Sequence, residues 1–139
     1  MAVDTVDALR KVPIFADLSE RELRKILKAT EEYSYPAGAV IVAEGSRSEQ
    51  LFLILKGTVK VRRGGRTVAK MGAGDFFGEI ALIDGLPRTA SVVADTPVRC
   101  RVLLRKEFFE IVDATPQIAW RVLGTLATRL RERERANRV

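Results

Sequence analysis

Short segments of alternating apolar and polar residues recur from residue 31 to residue 104, and turn-forming residues separate them. Many short strands with a turn about every ten residues are typical of an antiparallel sandwich, barrel or roll. Gly38, Gly45, Gly57 and Gly74 fall in the turns, where glycine adopts a backbone that other residues avoid. We expect strands at 31–35, 39–43, 51–55, 58–62, 67–71, 89–94 and 98–104.

Helical patterns precede this region. Residues 4–10 form a short amphipathic segment that Pro13 stops. Ser19 and Glu22 have the spacing of a capping box, which predicts a helix that buries Leu23, Ile26 and Leu27.

Two further helices are predicted after the strands. The first covers residues 106–113, and Pro116 fits the first turn of a longer one that reaches about residue 137. We expect Trp120 to anchor this last helix to the strands. Its apolar stripe comprises Ile118, Val122, Leu126 and Leu130, joined by Leu123.

Length and composition bound the function. A chain of 139 residues with 47% hydrophobic residues is enough for one domain with its own core. The single Cys100 and the absence of histidine exclude disulfides, zinc sites and Cys–His catalysis within one chain. Because no nucleophile has a base beside it, we expect no enzyme.

Charge and hydropathy limit the kinds of partner that the chain can bind. The net charge is +6, but the cations are interleaved with acids and no array of aromatic and basic residues stands out. We therefore expect no nucleic-acid binding by this chain alone. No apolar run approaches the roughly 18 residues of a membrane span and no signal pattern begins the chain, which predicts a cytoplasmic location.

The residues from 76 to 94, FFGEIALIDGLPRTASVVA, carry most of the chemistry. Gly78 begins a helical run of one or two turns, whose first turn leaves N–H groups free for an anion. Arg88 enters a strand beside apolar residues, so it needs either a carboxylate or an anionic ligand. Arginine suits phosphate, and Thr89 could add a hydroxyl. A phosphate pocket and a loop-closing Arg88–Glu79 ion pair explain these residues equally well.

The segment FGEIALIDGLPRTASV resembles the phosphate-binding cassette of the cyclic nucleotide-binding domain family. That family includes the sensor domains of catabolite activator proteins, cyclic-nucleotide-dependent kinases and cyclic-nucleotide-gated channels. The resemblance implies that Glu79 accepts a hydrogen bond from the ribose and that Arg88 pairs with the cyclic phosphate. It also implies backbone or hydroxyl contacts from Gly78, Ile80 and Thr89. It favours the pocket, with which an Arg88–Glu79 pair could coexist in the absence of ligand.

The same resemblance implies a fold. It is mainly β with flanking helices (α+β), an antiparallel eight-stranded β-roll with N-terminal helices, a short cassette helix and two C-terminal helices. The lead-in VPIFADLSERELRKI also resembles the family. We expect a single domain over residues 1–139, in which N-terminal helices occupy 1–31, the roll 32–104 with its cassette at 76–91, and the C-terminal helices 105–139.

The resemblance also implies which residues contact the base, although each of these residues has an alternative structural role. Val61 and Met71 would form an apolar wall against the purine, although each, taken singly, is more typical of ordinary core. The last helix would close over the base, with Arg129 or Arg133 stacking on it, although both could belong to a solvated face. Thr89 occurs in family members that favour cyclic GMP and in members that take both nucleotides.

The function implied is a regulatory domain that binds cyclic AMP, which we favour, or cyclic GMP, without a metal. Binding would move the last helix, which could act on an effector domain or a homodimer partner. One alternative is an interaction domain of the same fold with another ligand or none. Another is an activator-type transcription regulator, which needs a helix-turn-helix after the long helix, and the sequence ends at Val139 without one. A fragment of a channel or kinase is also compatible with the sequence.

Overall fold

The structure, a computed structural model, describes residues 4–137 as two antiparallel sheets flanked by helices. The helices are α1 Thr5–Arg10, α2 Glu20–Ala29, α3 Glu79–Asp84, α4 Arg105–Ala114 and α5 Gln117–Asn137, with a 3-10 turn at Pro13–Phe15. The strands are β1 Glu31–Tyr35, β2 Val40–Val42, β3 Gln50–Lys56, β4 Val59–Arg63, β5 Arg66–Met71, β6 Phe76–Phe77, β7 Ser91–Ala94 and β8 Val98–Leu104.

Each sheet contains four strands. The first has the order β1-β8-β3-β6 and the second the order β2-β7-β4-β5, and every pairing is antiparallel. The fold is the expected eight-stranded roll with flanking helices. The four turn glycines all have positive φ, as the turn assignment required.

The strand pattern missed β6, which precedes the cassette helix. It has two residues, too few to show an alternation, and pairs with the middle of β3. Packing identifies it where periodicity cannot, because Phe77 stacks on Phe52 with their ring centroids 4.7 Å apart. This pairing fixes the point from which α3 departs.

Two buried clusters hold the molecule together. One lies between the sheets and contains the inward side chains of β7 and β8, with Val92, Ala94, Val98, Cys100 and Val102 all at most 4% exposed. These are the faces that alternation predicted. The other cluster packs the helices against the first sheet, with Phe15, Leu23, Ile26, Phe108 and Ile118 among its members.

The N-terminal helices attach to α5 through polar contacts. The predicted capping box of α2 is formed, since Ser19 and Glu22 exchange hydrogen bonds. Glu22 also forms an ion pair with Arg121 of α5, with Arg121 Nε 3.2 Å from Glu22 Oε1, and Thr125 Oγ1 donates to Asp17 at 2.7 Å. These bonds join α5 to the region before β1.

The face that α5 buries differs from the prediction in part. Ile118 and Val122 are buried, but Leu123 and Leu130 are 55% and 61% exposed. The expectation that Trp120 anchors the helix is wrong, because this side chain is 74% exposed. Instead Thr125, which is 7% exposed, lies on the buried side of α5 and donates to Asp17 at the edge of that side.

Within residues 4–137, no helix is both long enough and apolar enough to cross a membrane.

Candidate ligand-binding site

A six-residue helix between two glycines forms the base of the candidate site. Gly78 caps α3 at its start with φ of 93°, and Gly85 follows its end with φ of 64°. Both lie in the left-handed region that glycine occupies without strain. The sharp turns at both ends let the chain leave β6, make under two turns of helix, and reach Arg88 at the same edge of the roll.

Gly78 is required by space as well as by its backbone angle. A side-chain carbon at this position would collide with the Gln50 carbonyl oxygen and with both terminal nitrogens of Arg88. The guanidinium therefore packs directly against the start of α3. The sequence analysis gave a different reason for this glycine, that it keeps the approach of an anion to the helix clear, and that reason stays a prediction.

The backbone of Arg88 is fixed by the loop that follows β2. Its N–H donates to the Ser46 carbonyl at 2.8 Å, and its own carbonyl accepts from the Gly45 N–H at 2.8 Å. Two such bonds restrict the backbone of Arg88 to one geometry, so its side chain starts from a fixed point. The loop thus positions the predicted phosphate-binding arginine.

Arg88 has neutral partners. Its Nη2 donates to the Gln50 carbonyl and, at 3.4 Å, to the Ser48 hydroxyl, while its buried Nε has no hydrogen-bond partner among the residues described. Burial lowers the pKa of the Arg88 guanidinium, and the charges of Glu79 and Asp84 oppose that change. A half-buried cation whose hydrogen-bond partners are neutral is suited to an anionic ligand.

The loop-closing ion pair between Arg88 and Glu79 is not formed. Of the four ion pairs found among residues 4–137, none includes either side chain. Glu79 acts on Arg88 through its charge without a direct salt bridge. Its carboxylate thus remains available as an acceptor.

A cavity of about 410 Å³ opens beside these groups. All five residues predicted to contact the phosphate and ribose line it, namely Gly78, Glu79, Ile80, Arg88 and Thr89. The other lining residues are Ala81, Asp84, Leu86 and Pro87. The cavity therefore combines one guanidinium, the two carboxylates of Glu79 and Asp84, one hydroxyl and the first turn of a helix.

A second groove connects this region with α5. It measures about 600 Å³ and is lined by Ile80, Leu126, Arg129, Leu130, Glu132 and Arg133. Ile80 lines both cavities, so the structure brings Arg129 and Arg133 next to the cassette, as expected of a helix that could close over it. From Ala127 to Ala136 every residue of α5 is exposed.

Val61 and Met71 lie elsewhere on the roll. Both are half-buried and pack against the cluster between the sheets. Neither lines the two cavities described above. Their contact with a base remains a prediction, and their observed contacts are those of a core wall.

Three neighbours of the cassette could not be identified from the sequence. Ser48 and Gln50 reach Arg88 across the fold, 40 and 38 residues away in the chain, and no motif marks them. Arg105 donates to the Ile83 carbonyl at 3.1 Å and lies 4.3 Å from the centre of the Phe109 ring. It thereby ties the end of α3 to α4.

Comparison with known proteins agrees with this geometry. The cyclic nucleotide-binding domain family matches residues 32–115, so the chain belongs to that family of ligand-binding regulatory domains. It is 37% identical over 123 residues to a cGMP-dependent protein kinase of Drosophila melanogaster, covering 83% of this chain and 13% of the kinase. It is 34% identical over 125 residues to the cyclic AMP receptor protein of Thermus thermophilus, covering 86% of this chain and 58% of the receptor. The chain therefore spans less than two thirds of either relative.

Among solved structures, the N-terminal domain of a transcriptional regulator from Streptomyces coelicolor superposes with a TM-score of 0.88 at 28% identity. The match covers 96% of this chain and 99% of that domain. The roll and its flanking helices are therefore an arrangement already seen in a bacterial regulator.

Proposed function

We propose that the chain is a sensor domain that binds a cyclic nucleotide, with cyclic AMP favoured over cyclic GMP, and that binding moves α5. The observation that carries the proposal is the 410 Å³ cavity, because it collects all five predicted phosphate and ribose contacts. Membership of the family supports the ligand class.

The phosphate would bind at Arg88. Its carbonyl and hydroxyl partners leave its charge uncompensated by a direct ion pair, so an anionic phosphodiester would restore charge balance in a half-buried place. The first turn of α3 would add N–H donors from Gly78 and Ile80, and Thr89 would add a hydroxyl. Glu79, which has no salt bridge in the part of the chain described, would accept from the ribose 2′-hydroxyl.

The base would lie between the roll and α5. Val61 and Met71 would supply its apolar wall, while Arg129 or Arg133 would stack on its exposed side. The groove that both arginines share with Ile80 supports this placement. A closed helix would make contacts that an open one lacks, so ligand would shift the population toward the closed state.

The fold alone does not decide between cyclic AMP and cyclic GMP. The hydroxyl of Thr89 could meet a guanine as well as a phosphate. The two relatives named above are a cGMP-dependent kinase and a cyclic AMP receptor, at similar identity. We keep cyclic AMP as the first choice and expect measurable binding of both.

The output would pass through α5 to an effector domain or to a second copy of the chain. The exposed side chains of Trp120, Leu123 and Leu130 support this, because such large apolar groups on one helix are typical of a contact surface. Trp120→Ser should then lower the self-association constant in sedimentation equilibrium if a second copy is the partner. An unchanged constant would leave the effector domain as the partner.

The proposal includes neither catalysis nor a metal, since a guanidinium and helix N–H groups suffice to hold a phosphodiester. A cytoplasmic location belongs to the same proposal. An interaction domain of the same fold without this ligand is the alternative. It explains the roll but not the collection of five polar and backbone contacts.

A thermal-unfolding series tests the proposal. Ligand that binds the folded state at about 100 times its Kd stabilises by about 2.7 kcal/mol, so the Tm should rise clearly. Cyclic AMP and cyclic GMP should raise the Tm, whereas linear 5′-AMP, which carries a second phosphate charge and an open ring, should raise it less. Equal shifts with all three, or none with either cyclic nucleotide, would contradict the proposal.

A further inference from the structure

The net positive charge of the chain is concentrated in one segment. Residues 50–74 contain six of the 24 lysines and arginines and no acidic residue, so the rest of the chain carries eighteen cations and eighteen acids. The β4–β5 hairpin carries five of them, Lys60, Arg62, Arg63, Arg66 and Lys70, and the sixth, Lys56, ends β3. Only Lys60 has a carboxylate within ion-pair distance among the residues described, that of Asp95 at 3.1 Å.

The tip of this hairpin touches the end of the cassette. Arg63 Nε donates to the Thr89 carbonyl at 3.2 Å, one residue beyond Arg88. Arg66 lies directly opposite Arg63 in the hairpin register. Both side chains are exposed. A carboxylate is present at the tip too, since Glu44 accepts from the Gly64 N–H at 3.0 Å.

Strand alternation places the neighbouring residues Arg62 and Arg63 on opposite faces of β4. Val61 pairs in register with buried Val92, so it points to the interior of the roll. Residues two apart on a strand share a face, so Arg63 shares the face of Val61 while Arg62 lies on the outer face. Arg62 instead donates to the Gly65 carbonyl within the hairpin.

Protection of a sheet edge does not explain Arg63. Cations on an edge strand discourage pairing with other chains, which accounts for Arg66 and Lys70 on β5. Strand β4 lies between β7 and β5 and has no free edge. An arginine there that reaches the cassette needs another reason.

We propose that Arg63 is a second cation of the ligand site, which attracts the phosphodiester of the ligand to the cassette and pairs with it beside Thr89. This inference rests on the proposed function and adds to it a second cation for the phosphodiester besides Arg88. Arg63 holds its guanidinium against the Thr89 carbonyl through Nε, and its two terminal nitrogens, which have no partner among residues 4–137, could meet the phosphate. Because the group is exposed, its effect depends on salt and acts mainly on the association rate.

Stopped-flow association of a fluorescent cyclic AMP tests this with a matched pair of variants. Arg63→Gln should lower the association rate constant about two- to fivefold at low salt, the size of an exposed charge pair. Arg62→Gln removes the same charge from the neighbouring residue on the opposite face, and it should lower the rate less. In 0.5 M salt the difference between the two variants should disappear, since charges are then screened within a few ångströms.

The controls separate the possible outcomes. Arg63→Lys keeps the charge and should restore most of the rate, and unchanged Tm values would show that no variant alters folding. Equal effects of Arg62→Gln and Arg63→Gln, or no effect of either, would overturn the role of Arg63 while leaving the proposed function intact. If the unaltered chain fails to bind the fluorescent nucleotide, the proposed function and this inference are both overturned.

Discussion

Single residues determine the geometry of the cassette, and Gly78 is the clearest case. Its φ of 93° and its contact with the Arg88 guanidinium leave room for a hydrogen atom only. The sequence analysis explained this glycine by its place at the N-terminus of a helix, where it would let an anion approach. It could not predict that the neighbour to be accommodated is Arg88 itself, because that contact depends on the tertiary path of residues 84–88.

Gly78→Ala should destabilise the chain more than Gly74→Ala. Gly74 has nearly the same φ, 91°, but open space around it, so alanine there pays only the backbone strain of about 1–2 kcal/mol. At position 78 the steric clash should add at least about 1 kcal/mol. Urea unfolding of both variants measures the difference, and equal losses would mean that Arg88 moves aside without cost.

Cys100 provides a prediction on pH. Burial raises the pKa of its thiol to about 11, and the charge of Glu32 adds to the rise. Because the folded-state pKa is raised, the stabilisation is fully present below the unfolded pKa near 8.5 and is lost as pH rises through about 11. The free energy of unfolding should therefore fall more steeply between pH 9 and 11 in the unaltered chain than in Cys100→Val. Parallel pH profiles would contradict this.

At the scale of elements, α5 combines an anchored half with an exposed half. Ile118, Val122 and Thr125 are buried, whereas every residue from Ala127 to Ala136 is exposed. Periodicity predicted the helix, but it could not predict its orientation, because apolar residues lie on two sides of it. The Thr125–Asp17 bond and the Arg121–Glu22 ion pair select the observed side.

The Arg121–Glu22 pair should contribute measurably to stability. Glu22 is 4% exposed and its Oε2 has no partner among the residues described, so removal of Arg121 leaves a buried carboxylate with less compensation. Arg121→Ala should cost about 1–3 kcal/mol. Arg24→Ala, which removes the exposed pair with Glu20, should cost below about 0.5 kcal/mol. Similar losses in thermal unfolding would show that the pair with Glu22 is no stronger than a surface pair.

At the scale of the whole molecule, the alternation of apolar and polar residues and the glycine turns were sufficient to predict the antiparallel β architecture. Seven strands were predicted with boundaries within about two residues, because each is bounded by a turn. The eighth, β6, and the neighbours Ser48 and Gln50 of Arg88 could not be predicted, since neither periodicity nor a motif marks contacts made 38 or 40 residues apart. The cassette residues could be predicted as a group because they lie close together in the chain. For Val61 and Met71 the sequence could not decide between a ligand wall and ordinary core, because that choice depends on packing.

Few contacts connect the cassette with α4 and α5. Ile80 links the two cavities, and Arg105 joins the end of α3 to α4. In the proposed mechanism, ligand at Arg88 fixes α3, and α3 in turn favours one position of the exposed half of α5.

Calorimetric titration with cyclic AMP tests the central claim most directly. The protein would first be unfolded and refolded to remove any bound nucleotide, and Arg88→Ala would be compared with Arg62→Ala. We predict that the unaltered chain and Arg62→Ala bind, and that Arg88→Ala binds about 10- to 100-fold more weakly, the loss expected for a charge-assisted hydrogen bond. Binding that is equally tight in Arg88→Ala, or no binding by the unaltered chain to cyclic AMP or cyclic GMP, would contradict the account.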